Sequence, residues 1–223
     1  MMRSALVALV VALPAHLAAQ AAASTRLDGK LDGETRAAVM RTLDSAQTRG
    51  LPVEPLVDKA LEGATKRAAG PRIQAAVSML MSRLEAARDA LAPNPGPRDI
   101  AAGADALAYG VTRKALVTMR AIRPNESVAV PLGVLTQLVA SGVPVDRATR
   151  VVADLLRRGA RDEQLIALNN DVRMYVAAGA SPQSALDVRM RGLNAVLPPV
   201  GGASGGLGDA SSPGSSTTGM KKP

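Results

Sequence analysis

The chain has no cysteine, phenylalanine or tryptophan, and its 223 residues include only two tyrosines and one histidine. The absence of cysteine excludes disulfide bonds and thiolate metal ligands. The single histidine, His16, lies in a segment that we interpret below as a signal peptide, so the rest of the chain has no imidazole. This excludes Ser-His-Asp and Cys-His catalysis and the usual zinc sites. We therefore assign no catalytic residue, no metal and no cofactor.

The apolar residues that are present are mostly small or aliphatic. Hydrophobic residues make up 47% of the chain but aromatic residues only 1%, so alanine, valine and leucine must fill the interior. Alanine has the highest helix propensity and is depleted in strands. Apolar residues recur at helical spacing, and no segment alternates like a strand. We predict an all-α fold of about nine short helices in antiparallel hairpins, arranged as an α-solenoid or a compact bundle.

The N-terminal segment 1–22 has the pattern of a secretory signal peptide. Arg3 gives it a positive start, residues 5–15 form a short apolar run, and small residues follow. A retained membrane helix needs about 20 apolar residues, which is longer than this run. We therefore expect export to the periplasm or the medium, with no transmembrane span left after cleavage.

The rest of the chain divides by composition into three parts. Residues 197–223 are rich in glycine, serine and proline, which predicts a disordered tail. Three prolines and a glycine in the sequence APNPGPRD, residues 92–99, interrupt the helical pattern. This interruption predicts either separate helical subdomains at 24–91 and 98–196 or a crossover loop within one domain.

A nine-residue pattern occurs twice, as ASGVPVDRA at 140–148 and AAGASPQSA at 177–185. In each copy a glycine, Gly142 or Gly179, follows an amphipathic run and precedes an apolar residue and a proline. Glycine in the left-handed conformation commonly ends a helix, and proline is favoured at the start of the next one. The repeat therefore predicts a helix end followed by a helix start. The same pattern recurs at Gly50 and Gly110.

The chain is strongly basic, with a formal net charge of +8, and arginine supplies 21 of its 27 basic residues. A guanidinium can bind a phosphate or a carboxylate through two parallel hydrogen bonds. The arginines that we select as binding candidates are Arg113, Arg120, Arg123, Arg147, Arg150, Arg157, Arg158 and Arg161. The alternative is a solvated basic face. Nucleic acid is an unlikely partner, because the chain lacks aromatic residues on which bases could stack.

A second basic feature lies in the segment 50–66. Lys59, Glu62 and Lys66 have the spacing of one helix face, so Glu62 can reach both lysines. Gly63 interrupts this helix, which suggests the close approach of another helix or of a ligand. We include Lys59 and Lys66 among the binding candidates; a solvated face with a packing glycine is the alternative.

Two family resemblances bear on function. The segment 50–66 resembles a pattern in an uncharacterised family of exported, alanine-rich helical proteins of bacteria, for which no activity is assigned. The segment 29–52 resembles a small peptidoglycan-binding repeat, although the aromatic-glutamine pair of that family is replaced by Thr42 and Leu43. The residues that match this repeat are Asp32, Gly33, Thr35, Arg36, Ala38, Val39, Gly50 and Leu51. The resemblance implies binding of a cell-wall glycan.

Two hypotheses of function follow from these observations. The first is an exported, non-enzymatic helical scaffold or binding protein of the bacterial envelope. Its basic surface would dock an envelope protein or an anionic glycan or lipid. Tyr109 and Tyr175 are either its aromatic anchors or residues that pack in the core or at helix caps. The alternative is a carboxylate-dependent hydrolase acting on envelope polymer. Its candidate carboxylates are the pairs Asp99 with Asp105 and Asp162 with Glu163.

Overall fold

The computed structural model describes residues 23–194, and these residues form ten helices and no strand. The helices are α1 (residues 23–27), α2 (Gly33–Thr48), α3 (Glu54–Thr65), α4 (Gly70–Ala90), α5 (Pro97–Ala108), α6 (Arg113–Ile122), α7 (Ala129–Ala140), α8 (Val145–Arg157), α9 (Asp162–Ala177) and α10 (Pro182–Asn194). The all-α prediction is confirmed. The segment 1–22, which the sequence predicts to be a signal peptide, and the segment 197–223, which it predicts to be a disordered tail, lie outside the described residues.

The repeated nine-residue pattern marks two helix ends. Gly142 and Gly179 both have φ of +95°, and each follows the C-terminus of a helix. The amide of the next residue, Val143 or Ala180, donates to a carbonyl five residues back, at 3.0 and 2.9 Å respectively. These are Schellman ends, as the sequence predicted. Positive φ also occurs at Gly50, Gly110 and Gly159.

The helices stack in two rows. In one row α5 contacts α7 and α7 contacts α9, while in the other row α4 contacts α6 and α6 contacts α8; α4 also contacts α5 across the two rows. An ion pair between Arg147 and Asp187 joins α8 to α10. Asp171 on α9 pairs with Arg189 on α10 at a similar distance from the intervening turn, so these two helices are antiparallel. Contacts between every second helix are typical of stacked helical hairpins.

One cluster of buried aliphatic side chains runs through the described chain, from Ala23 to Leu193. It includes residues on both sides of the loop at 92–97, where the sequence predicted a boundary. Packing across this loop is close: a Cβ atom built on Gly103 would lie 2.9 Å from the Cβ of Ala87. Small residues thus bring α4 and α5 together, which compensates for the absence of phenylalanine and tryptophan.

None of the helices within residues 23–194 is both long enough and apolar enough to cross a membrane.

Candidate anion-binding site

The structure places Arg120 in the interior, whereas the sequence had suggested an exposed basic surface. The Arg120 side chain is only 10% exposed, and its Nη2 donates to Oδ2 of Asp99 at 2.7 Å. Its Nε donates to the carbonyl of Leu91 at 3.2 Å, and its Nη1 donates to the carbonyl of Glu126 at 2.8 Å. The guanidinium therefore fastens α6 to α4, α5 and the loop before α7, and it is not available as a surface contact.

Two of the four carboxylates proposed for a hydrolase, Asp99 and Asp162, are engaged, whereas Asp105 and Glu163 form no ion pair within residues 23–194. Asp99 accepts hydrogen bonds from the hydroxyl of Ser127 at 2.6 Å and from the amide of Val128 at 3.0 Å, in addition to Arg120. Asp162 accepts from Nη1 of Arg123 at 2.6 Å. In the described part of the chain, no group of three or more acidic, histidine or cysteine side chains is placed to hold a metal ion. These contacts give Asp99 and Asp162 structural partners.

The other candidate arginines fall into two groups. One group is paired with acids and includes side chains that are largely buried, such as Arg123 at 12% exposure and Arg158 at 7%. The pairs are Arg123 with Asp162, Arg147 with Asp187, and Arg158 with Asp154. The second group is exposed and has no ion pair within residues 23–194. It consists of Arg113, Arg150, Arg157 and Arg161.

Lys59 and Lys66 line a cavity of about 570 Å³ between the end of α3 and the start of α4. Four cationic side chains and one acidic side chain border this cavity, which gives it a formal net charge of +3. We call it the α3–α4 pocket. Its lining residues are Lys59, Glu62, Gly63, Lys66, Arg67, Ala68, Ala69, Arg72, Ile73 and Ala76.

Glu62 is held between the two lysines of the pocket. Its two carboxylate oxygens accept hydrogen bonds from Nζ of Lys59 and Nζ of Lys66, each at 2.5 Å. These hydrogen bonds, with the lysine charges, lower the pKa of Glu62 from 4.5 to about 2. The predicted polar ridge of Lys59, Glu62 and Lys66 is therefore present, and Glu62 stays ionised over the whole physiological range.

Arg67 and Arg72 also line the pocket, and neither is among the binding candidates selected from the sequence. Neither guanidinium has an ion pair within the described residues. Arg67 has φ of +52°, and the amide of Ala68 donates to the carbonyl of Gly63 at 3.0 Å. Arg67 thus occupies the left-handed position of a Schellman end, where glycine is usual. The sequence signal was the basic segment KRAAGPR, which lies between two helical patterns.

Gly63 is explained by helix packing. A Cβ atom built on Gly63 would lie 2.8 Å from Cγ1 of Ile73. Of the two explanations that the sequence left open, the structure shows the close approach of another helix, α4. This contact holds α3 and α4 together at the floor of the α3–α4 pocket.

Two further cavities occur among the described residues. A cavity of about 720 Å³ lies beside the Asp99–Arg120 ion pair, between the loops that precede α5 and α7. Its two buried charges are bonded to each other, as described above. A cavity of about 460 Å³ lies between α2 and α4, beside the ion pair of Arg49 with Glu85. Each of these two cavities also borders one exposed arginine without an ion pair among the described residues, Arg98 in the first and Arg41 in the second. The α3–α4 pocket borders two such arginines, so it is the better candidate for binding an anion.

The residues that resemble a peptidoglycan-binding repeat form the two ends of α2. Asp32 caps this helix by accepting a hydrogen bond from the amide of Thr35 at 2.8 Å, and this bond lowers its pKa. Gly50 and Leu51 form the Schellman end of the same helix.

The two tyrosines are both substantially exposed. Tyr109 is 54% exposed and Tyr175 is 43% exposed. This exposure makes both rings accessible to a partner.

No protein-family model matches this chain, and no curated protein or solved structure matches it either. The assignment of a binding site therefore depends on the charge, burial and geometry of the chain's own residues.

Proposed function

We propose that this protein is an exported, non-enzymatic helical scaffold of the bacterial envelope that binds an anionic envelope polymer. The binding surface consists of the α3–α4 pocket together with the exposed arginines of α6, α8 and the turn before α9. The observation that carries this proposal is the uneven pairing of charge. Part of the basic set is used in structural ion pairs, and the remainder is exposed without an acidic partner.

The exposed cations are spread over several elements. Those without an ion pair among the described residues are Lys30, Arg41, Arg67, Arg72, Arg98, Arg113, Lys114, Arg150, Arg157, Arg161, Arg173 and Arg191. A single exposed contact between opposite charges contributes only about 0 to 1 kcal/mol. A polymer with repeated anionic groups can contact several such cations at once, so their small contributions add.

Two of the exposed arginines lie on one face of α8, and this alignment supports a linear partner. Arg150 and Arg157 are seven residues apart on α8, so they lie on the same face of that helix. Arg161 follows after one further turn, just before α9. The stacked helices give the molecule an extended surface of the kind that repeat proteins use to bind long partners.

Localisation enters this proposal through the N-terminal sequence. Residues 1–22 have the charge, apolar run and small residues of a signal peptide. An exported basic protein meets anionic polymers of the envelope, whereas most nucleic acids are inside the cell. The resemblance of segment 29–52 to a peptidoglycan-binding repeat favours the same class of partner.

The test is co-sedimentation of the chain from residue 23 onward with purified sacculi that retain their anionic polymers, over a salt series. We expect binding at low salt that weakens steeply as salt rises, because counterions compete for the cations. A variant with Arg150, Arg157 and Arg161 replaced by glutamine is expected to bind more weakly. A variant with Glu34 and Glu163 replaced by glutamine is expected to bind at least as well.

Two results would contradict the proposal. Salt-insensitive retention, unchanged in the arginine variant, would indicate a contact that does not depend on charge and would favour a protein partner. Release of soluble fragments from the sacculi by the purified protein would support the alternative, a hydrolase acting on envelope polymer.

A further inference from the structure

We propose that the α3–α4 pocket binds the phosphate group of a phosphate ester, with the guanidinium groups of Arg67 and Arg72 as its ligands. This inference rests on the proposed function, because it names the chemical group by which the anionic polymer is recognised. The inference assigns a specific site within a broadly basic surface, and it can fail while the broader proposal stands.

Both arginines of the pocket lie at positions that are unfavourable for an arginine. Arg67 has φ of +52°, although a residue with a side chain at this position costs about 1 kcal/mol relative to glycine. Arg72 lies in the first turn of α4, where the helix dipole disfavours a positive charge. Neither arginine has an ion pair among the described residues that would offset these costs. Two arginines at unfavourable positions, both bordering the same cavity, indicate that a function requires their side chains there.

The lysines of the pocket contact an acidic side chain, whereas its arginines do not. Glu62 already occupies the ammonium groups of both Lys59 and Lys66 through hydrogen bonds of 2.5 Å. The pKa of Glu62 near 2 keeps this carboxylate charged, so it does not release the lysines at neutral pH. Each lysine spends one of its three donors on Glu62, whereas Arg67 and Arg72 are the cations of the pocket that have no carboxylate partner among the described residues. Two guanidinium groups suit a phosphate, which offers at least two non-bridging acceptor oxygens and carries one negative charge as a diester or up to two as a monoester.

The α3–α4 pocket has room for more than a phosphate group, and part of its lining is apolar. Its volume of about 570 Å³ exceeds that of a phosphate group alone. Small or apolar residues form much of its lining, among them Gly63, Ala68, Ile73 and Ala76. The space beside the cations therefore fits the organic part of the ester, of the size of a glycerol or a sugar.

The decisive variant is Arg67→Gly. Glycine relieves the left-handed strain and removes the guanidinium, so we expect a higher Tm together with weaker phosphate binding. The measurement is a titration with glycerol phosphate at pH 7.5, followed by backbone amide NMR shifts. In the unmodified chain we expect saturable shifts that are concentrated at residues 59–76. In Arg67→Gly and in Arg72→Gln we expect affinity to fall at least fivefold.

The controls separate a site from general attraction of charge. Arg83→Gln removes one positive charge on α4 outside the pocket, where the guanidinium of Arg83 contacts Sδ of Met79, and we expect its affinity for glycerol phosphate to stay within twofold. Glu62→Gln frees both lysines, and we expect it to bind more tightly. Acetate at equal ionic strength is expected to bind at least tenfold more weakly than glycerol phosphate.

The ligand source is distinguished by three probes: inorganic phosphate, a glycerol phosphate polymer, and vesicles of phosphatidylglycerol. We expect the polymer to bind more tightly than inorganic phosphate, and Arg67→Gly to weaken both. Binding to vesicles alone would overturn the assignment to a polymer. Equal binding of acetate, or a loss in Arg83→Gln as large as in Arg67→Gly, would overturn the phosphate site. Salt-sensitive retention on sacculi that persists in Arg67→Gly would leave the broader function standing without this site.

Discussion

Arg120 and Arg67 show how differently two arginines of one chain are used. Arg120 is buried, and Asp99 together with several backbone carbonyls satisfies its donors. Arg67 is exposed, has no ion pair within residues 23–194, and adopts a backbone conformation that favours glycine. Burial of a charge requires a partner, whereas an exposed charge without a partner remains free to bind a ligand.

The first prediction at the residue scale concerns the buried ion pair. Replacing Asp99 with asparagine leaves the charge of Arg120 buried without a carboxylate, and we expect a loss of about 3 kcal/mol in the free energy of unfolding. Asp105, on the same helix, provides the matched control. Partial desolvation raises its pKa, so its ionised form is disfavoured, and Asp105→Asn is expected to be neutral or slightly stabilising at pH 7. Urea denaturation of both variants measures the difference, and equal losses would contradict this account.

The second prediction concerns Glu62. Its lowered pKa means that the folded state binds this proton less readily than the unfolded chain does. The stabilisation from its lysine contacts is therefore complete above pH 4.5 and is lost as the pH falls towards 2. An NMR titration of the Glu62 carboxyl carbon is expected to show a midpoint near 2. Replacing Lys59 and Lys66 with methionine should move the midpoint up towards 4.5. A midpoint near 4.5 in the unmodified chain would show that the two lysines do not hold Glu62 as described.

At the scale of the helices, the repeated glycines were predictable and the charged contacts were not. A glycine followed by an apolar residue and a proline is a local signal, so the ends of α7 and α9 could be predicted from the sequence. Arg67 lacks that signal, because the same Schellman geometry is formed there without glycine. The contacts of Arg120 with Leu91 and Asp99 also escaped prediction, since they join residues 29 and 21 positions apart and no local pattern specifies them.

One prediction at this scale compares two helix ends with the same backbone conformation. Gly142 and Gly179 both have φ of +95°, so alanine at either position is strained by about 1 kcal/mol. A Cβ atom built on Gly142 would also lie 3.2 Å from Cγ of Pro182. A Cβ atom built on Gly179 would have no neighbouring atom within 4 Å. We therefore expect Gly142→Ala to lower the free energy of unfolding more than Gly179→Ala does. Thermal unfolding of the two variants tests this ranking, and the reverse order would contradict the packing of α7 against the start of α10.

For the whole molecule, composition predicted the fold class but only part of the site. Abundant alanine and scarce aromatic residues correctly indicated an all-α fold with closely packed helices. The positive net charge indicated a basic surface, yet it could not separate arginines that fasten helices from those that face solvent. That division depends on tertiary position. Lys59 and Lys66 were identified from their helical spacing, whereas Arg67 and Arg72 join them only because α3 and α4 fold back on each other.

The central claim is that the α3–α4 pocket supplies cations to an anionic phosphate polymer. The most direct test is the salt dependence of binding to a glycerol phosphate polymer, measured for the unmodified chain and for the double variant Arg67→Gln, Arg72→Gln. Each cation that contacts a phosphate adds about one unit to the slope of log affinity against log salt. We predict that the magnitude of the slope falls by about two in the double variant. An unchanged slope and affinity would show that these arginines do not contact the polymer, and the claim would fail.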